Sequence, residues 1–348
     1  MHSSFIILIL AALVDYLVGD PWGWPHPVRV IGWVINQYTQ LTFSLCKVFS
    51  FSGKVADNVG GWGNLSQLTQ EAGLRVAGIV LALGLIAGSS WIGWLIIHVA
   101  RRLHPLLGIV IETVLLAACF AGRSLRAAAE DVLEPLAAGD LVSARSRLSQ
   151  YVGRDTTNLS ESELLRAVLE TVTENATDGV MAPLFYGLVG LAIPGIGSVP
   201  LALGYKAAST LDSTVGYREP PYTELGWFSA RLEDVLTWLP CRLTVLTLAC
   251  LSGKPNHVWQ LCRRDAPKDP SPNAGWSECA YAAILGVQMG GLNWYRGIAK
   301  QKPLLGDPLY KITTKQIHQA LNLTRYIFLL WLFLAGLLAI AILNKPYH

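Results

Sequence analysis

Charge is what this chain has least of. Lys, Arg, Asp and Glu make up 15% of its 348 residues, while 52% are hydrophobic. Soluble domains carry about 25% charged residues. A formal net charge of +3, with no basic run interleaved with aromatics, excludes a nucleic-acid partner. The six cysteines, Cys46, Cys119, Cys241, Cys250, Cys262 and Cys279, form no CxxC pair. That excludes a disulfide framework and a zinc ribbon. No GxxxxGK[ST] run is present, which excludes a P-loop. Repeats, low-complexity tracts and sustained strand alternation are missing too. The N-terminal segment has no basic stretch before its apolar run, and Asp15 stands where a small-residue cleavage site would be. It therefore reads as a retained membrane segment rather than a secretory signal.

What the chain has instead is long apolar runs. Four are candidates to cross a bilayer, at 5–19, 74–100, 105–121 and 326–343. A crossing needs roughly 20 apolar residues, so the first and third are short. Two further runs, 179–204 and 232–251, are interrupted by Pro183, Pro194, Pro200 and Pro240. Broken backbone at membrane depth requires burial in protein or a wet cavity, so these read as re-entrant or interfacial helices. The expected architecture is mainly α: a single polytopic integral membrane domain over 1–348. Loops 20–73, 122–178, 205–231 and 252–325 would share one side. They hold most of the Lys and Arg, which makes that side cytoplasmic and places the chain in the inner membrane. Arg101, Arg102 and Lys345 run against that orientation. Within the loops, 123–151 has helical periodicity broken at Gly139-Asp140. Ser160 and Glu163 form a capping box that opens a helix toward 178.

The polar residues cluster. Glu170, Glu174 and Asp178 recur every four residues, one stripe on a helix, with Asn175 beside them. Such a stripe is most often a solvated face. Here it runs into DGVMAPLFYGLVG, where Gly179 and Pro183 would end the helix at the bilayer. Acids at a helix C-terminus also face the negative end of its dipole, so a cation (Mg²⁺, Lys or Arg) should offset them. Asp20, His26 and Arg29 lie in GDPWGWPHPVR, able to bind an anion and a metal or simply to form a rigid interfacial turn. Lys206 and Asp212 sit among small residues, as in phosphate-binding segments. Arg231 and Asp234 are three apart on a helix. Ser271 and Asn273 precede a helix containing Trp276, a turn that can offer N–H groups to an anion. Glu112 is an acid inside an apolar run, a functional candidate by default. Read alone, it and the broken helices also suit a transporter, although no similar halves are apparent.

Five stretches carry a resemblance: DYLVGDPWGWPHPVRVIGWVI, ETVTENATDGVMAPLFYGLVG, GYKAASTLDSTVGY, GWFSARLEDVLTWLPCRLT and DAPKDPSPNAGWSECAYAAILGVQMGGLNWY. In this order, from about Leu13 to Gly297, they resemble the CobD/CbiB family, the adenosylcobinamide-phosphate synthases of cobalamin biosynthesis. Ser209 and Thr214 depart from the asparagine and methionine expected there. The resemblance implies amide ligation of the corrinoid substrate adenosylcobyric acid to an aminoalkyl phosphate such as aminopropanol phosphate, with ATP and Mg²⁺. On that footing Glu174 and Asp178 are assigned to Mg²⁺ with Asn175 in support, and Lys206 and Arg29 to phosphate. Glu170 or Asp212 is the base. Asp20, His26, Arg231, Asp234, Ser271, Asn273 and Trp276 are assigned to substrate. Partners would be the bilayer and, in an assembly, a second copy or other corrinoid-pathway enzymes. A corrinoid transporter and a non-catalytic pathway scaffold are the rival readings.

Overall fold

The structure is a computed structural model that describes residues 2–19, 26–57 and 63–343. It is mainly helical. The elements are α1 (His2–Leu17), α2 (Pro27–Asp57), α3 (Gly63–Leu103), α4 (Pro105–Ala117), α5 (Gly122–Ala137), α6 (Leu141–Leu148) and α7 (Glu161–Asn175). A wide π-type turn, Ala176–Met181, leads into α8 (Ala182–Ala192), α9 (Ser198–Val215), α10 (Trp227–Leu251), α11 (Pro255–Asp265) and α12 (Ala274–Leu285). The strands β1 (Met289–Tyr295) and β2 (Ile298–Leu305) precede α13 (Thr314–Leu343).

Among the described residues, three helices are long and apolar enough to cross a membrane: Thr69–Leu103 of α3, all of α10, and Thr314–Ala341 of α13. The apolar α4 is joined to α5 at a 41° bend, and the two would count as a fourth span only if taken together as one broken helix. The chain is a polytopic membrane protein, but its spans are not quite the expected ones. Only Phe5–Leu17 of the first run is an apolar helix, shorter than a span. The third run ends at Ala117, and α5 leaves at an angle with Leu125, Ala129, Val132 and Leu136 buried on one face.

The 232–251 run is not broken. It lies within the continuous 25-residue α10. Pro240 lacks the N–H that would bond the Leu236 carbonyl, and the Tyr186 hydroxyl donates to that carbonyl instead, at 2.9 Å. Residues 179–204 form a hairpin of α8 and α9 packed on α3. Its tight connection needs Gly190, where a Cβ would lie 2.3 Å from the Gly197 carbonyl oxygen.

The bundle has two distinct ends. At one, Trp94 of α3 donates to the Gly195 carbonyl of the hairpin connection. Nearby, Arg101 pairs with Glu112, which is 2% exposed. The arginine that ran against the orientation rule thus neutralises the intramembrane acid. At the other end, Phe120 meets Phe328 edge-on, at 5.3 Å between ring centroids, and Arg325 stacks on Tyr16. On this side α5, α6, α7, α11, α12 and the strands β1 and β2 pack together. Between the ends, α1, α3, α4 and α13 present Leu13, Val80, Val110 and Phe333 outward, as a lipid-facing surface requires.

The antiparallel β1–β2 hairpin has no counterpart in the sequence reading. Gly290 and Gly291 stand where alternation should appear, and the register shifts there. A Cβ on Gly290 would lie 1.9 Å from the Pro303 carbonyl oxygen.

Candidate active site

The C-terminal half of α7 carries the acids. Gly179 and Pro183 do not end the helix. The backbone widens through Ala176–Met181 and continues into α8, whose second residue is Pro183, where a missing N–H costs little. The wide turn is held from outside by the Ser277 hydroxyl, which donates to the Thr173 carbonyl at 2.6 Å and pairs with the Thr177 hydroxyl at 2.8 Å.

The four-residue stripe divides in function. Glu170 is 1% exposed and fully engaged. It pairs with Arg154 and with Arg166 (3.0 Å), and accepts the Gly290 N–H at 2.9 Å. Both arginines also donate to the Asn293 side-chain oxygen. Glu170 therefore clamps the hairpin to α7. Burial pushes its carboxyl up, but Arg154 and Arg166 prevail and hold it below the usual glutamate range. A carboxylate so placed is a poor proton acceptor, so the assignment of Glu170 as base is corrected to a structural one.

Glu174 and Asp178 face a different environment. Both keep some accessible surface. Asp178 senses Glu233, Glu174, Asp212 and Asp234, so carboxylates from α7, the wide turn, α9 and α10 lie near enough to act on one another as an acid cluster. Burial, then these neighbours, raises the Asp178 carboxyl well above its ordinary range. The Glu174 carboxyl is raised by burial, with Asp269 and Glu170 adding and Lys302 opposing. Asp212 is raised to about 6 by burial, Asp234 and Glu174. Behind Glu174 lies Glu278 of α12, 1% exposed, its carboxyl raised well above the usual range by burial. Among the described residues, neither of its oxygens has a hydrogen-bond partner. Its cation is Lys302 of β2, at 3.6 Å.

Lys302 was not visible as a site residue in the sequence, because it sits in a strand with no motif around it. Burial lowers its ammonium, but Glu278, Glu174, Glu170 and Asp269 outweigh that and keep it protonated. Arg218 and Arg231 supply positive charge at the opposite rim, where both act on Asp234.

The remaining candidates separate. Lys206 lies six residues before Asp212, roughly 120° around α9. Its charge acts on the Cys119 thiol at the α4–α5 break. Asn175 is exposed and donates to the Thr171 carbonyl of its own helix, so it does not join Glu174 and Asp178. His26 accepts the Val28 N–H at 3.3 Å at the start of α2, and Arg29 is exposed on the next turn. Asp20 lies outside the described residues. The Ser271 hydroxyl accepts from the N–H groups of Asn273 and Ala274, capping α12. Asn273 donates to the Asp234 carbonyl at 2.8 Å, which ties the start of α12 to α10 beside the acid cluster. Its side-chain oxygen is buried without a partner. Trp276 lies under the Arg242 guanidinium, 4.3 Å from its centroid, and Arg231 sits over Trp227 instead.

Among the described residues, no three His, Cys, Asp or Glu side chains stand close enough to hold one ion. The donor set still suits Mg²⁺, which binds through one or two carboxylates with waters and substrate phosphates completing its shell. Glu174 and Asp178, hard oxygen donors one helical turn apart, are the pair that would fit.

The sequence model of the CobD/Cbib protein family matches residues 8–324, all but the ends of the chain. The chain belongs to the CobD/CbiB family. The cobalamin biosynthesis protein CobD of Synechocystis sp. is 52% identical over 97% of this chain and 92% of its own length. CobD of Halalkalibacterium halodurans is 36% identical over 97% and 98%. CbiB of Salmonella typhimurium is 37% identical over 96% and 94%. No solved structure matches. The match to the CobD/CbiB family takes in the acid cluster and Lys302, and stops just before the apolar half of α13.

Proposed function

We propose that this CobD/CbiB-family chain acts in cobalamin biosynthesis as an amide-forming ligase at the cytoplasmic membrane. It joins the free carboxyl of adenosylcobyric acid to the amine of (R)-1-aminopropan-2-yl phosphate and releases adenosylcobinamide phosphate. The observation that carries this reading is the acid cluster of Glu174, Asp178, Asp212 and Asp234, which act on one another, with Lys302 acting on Glu174 and Arg218 and Arg231 on Asp234. An amine does not displace carboxylate oxygen unaided. The substrate carboxylate attacks the terminal phosphorus of ATP, forming an acyl phosphate and releasing ADP. The amine nitrogen then attacks the acyl carbon, the carbon–oxygen bond breaks, and inorganic phosphate leaves.

Asp212 is the base that takes the ammonium proton as the carbon–nitrogen bond forms. With a pKa of about 6 it is ionised at neutral pH yet basic enough to accept a proton. Mg²⁺, when bound, supplies positive charge to the transferring phosphoryl group, and Glu174 and Asp178 would hold it. Lys302 and Arg231 bind phosphate oxygens, and Glu278 keeps Lys302 charged. The transporter alternative drew on Glu112, whose pairing with Arg101 gives that acid a packing role.

The test is direct: purified protein, adenosylcobyric acid, aminopropanol phosphate and Mg²⁺-ATP, followed by mass spectrometry of the corrinoid. Adenosylcobinamide phosphate should form with stoichiometric ADP. No product, or product without ATP, rejects the reading. In the same assay Lys302→Met is expected to slow turnover by about 10²- to 10³-fold, as loss of a preorganised charge does, with Lys302→Arg recovering part. An unchanged rate would remove Lys302 from the site.

A further inference from the structure

We propose that a groove between α1, α5 and α13 is a specific binding site for one anionic phospholipid. The groove encloses a cavity of about 580 Å³. Its walls are apolar, with Leu13 from α1 and Phe328 and Leu329 from α13. Its rim carries Arg123 and Arg126 from α5 and Arg325 from α13.

The three arginines converge at one level of the bundle. Arg123 donates to the Tyr16 carbonyl at 3.1 Å. Arg325 donates to the Tyr16 hydroxyl at 3.1 Å and lies over its ring. Arg126 donates to the Asn322 side chain at 3.1 Å and pairs loosely with Glu130, at 3.6 Å. Each guanidinium has five N–H donors, and these contacts use only some of them. Against the three arginines stand two acids, Glu130 beside Arg126 and the buried Asp15, which also lines the groove, so the rim keeps a net positive charge.

The level itself identifies the occupant. Arg325 is the last charged residue before the apolar run 326–343, and Arg123 and Arg126 follow the apolar α4 directly. The rim therefore lies where the chain passes from hydrocarbon to water, on the side the positive-inside rule makes cytoplasmic. A phosphate placed there would have acyl chains running down the walls at Leu13, Phe328 and Leu329. Basic pockets between membrane helices on this side suit anionic head groups. A free phosphate ion would use the rim and leave the apolar walls uncovered.

The full-length protein is exchanged into detergent containing equal phosphatidylglycerol and phosphatidylcholine, and bound lipid is counted by native mass spectrometry. One phosphatidylglycerol should be retained, with a preference over phosphatidylcholine on the order of 100-fold for three arginines. The triple variant Arg123→Gln, Arg126→Gln, Arg325→Gln should reduce the preference to near unity. The variant Leu13→Trp, Leu329→Trp, which fills the walls and spares the rim, should also lose the lipid. If the triple variant does not fold, the wild-type preference and the tryptophan variant decide. Equal retention of both lipids, displacement of phosphatidylglycerol by excess inorganic phosphate, or full occupancy in the tryptophan variant would overturn the proposal.

Discussion

Asp178→Asn should abolish ligation and stabilise the ligand-free protein at the same time. The loss of turnover is expected to be about 10³-fold or more, because the side chain would hold the cation that screens the phosphoryl group. The gain follows from where Asp178 sits. Its neighbours Glu233, Glu174, Asp212 and Asp234 are all acids, and burial plus their charges raise its pKa well above the ordinary value. The folded state therefore keeps a proton on Asp178 that the unfolded chain releases near pH 4. As pH rises through this window the folded state binds more protons than the unfolded one, so stability falls with rising pH. Asparagine carries no charge and abolishes that fall. The melting temperature of the variant should exceed that of the wild type at pH 8, with the two converging toward pH 4. Mg²⁺ should raise the wild-type melting temperature and leave the variant nearly unmoved. A variant that ligates normally, or melts lower than the wild type at pH 8, would show that Asp178 serves packing rather than the cation.

The segments of the site were legible in the sequence, and the direction of each side chain was not. Spacing alone put Glu170, Glu174 and Asp178 on one face, and Ser160 with Glu163 marked where their helix begins. Which of the three acids faces the others depends on Arg154, just before the helix, on Arg166, one turn before Glu170, and on Gly290, brought to Glu170 by a hairpin 120 residues further on. That hairpin was hidden because two glycines occupy the positions where a strand would alternate. Lys302 was hidden with it. Pro240 misled in the opposite sense. A proline inside an apolar run usually marks a break, but here Tyr186, from another helix, supplies the missing hydrogen bond. The acids also needed a cation, and the sequence reading considered Mg²⁺, Lys or Arg. The structure divides that need: arginines serve Glu170, Lys302 serves Glu278 and Glu174, and Asp178 has no basic neighbour among its principal influences.

Glu170→Gln tests this division from the other side, and its effect should fall on stability. Glu170 is 1% exposed, and the side chains of Arg154 and Arg166 are 7% and 13% exposed. Removing one partner of a buried ion pair leaves an uncompensated charge and costs about 3–5 kcal/mol. Glutamine can still accept the Gly290 N–H, so the lower end applies. In a chain of this size that corresponds to a fall in melting temperature of roughly 4 °C. High salt should not mimic the variant, because the pairs are shielded from solvent. The pH dependence has the opposite sign to that of Asp178. The folded-state pKa of Glu170 lies below its unfolded value, so its contribution is present above about pH 4 and disappears as pH falls through the folded pKa. Wild type and variant should therefore converge in acid. Turnover per folded molecule should drop less than about tenfold, with the pH–rate profile in place, because Glu170 transfers no proton. Asp212→Asn should instead remove the limb near pH 6. A Glu170→Gln protein that melts like the wild type but loses ligation by orders of magnitude would restore Glu170 as the base and leave the hairpin clamp without support.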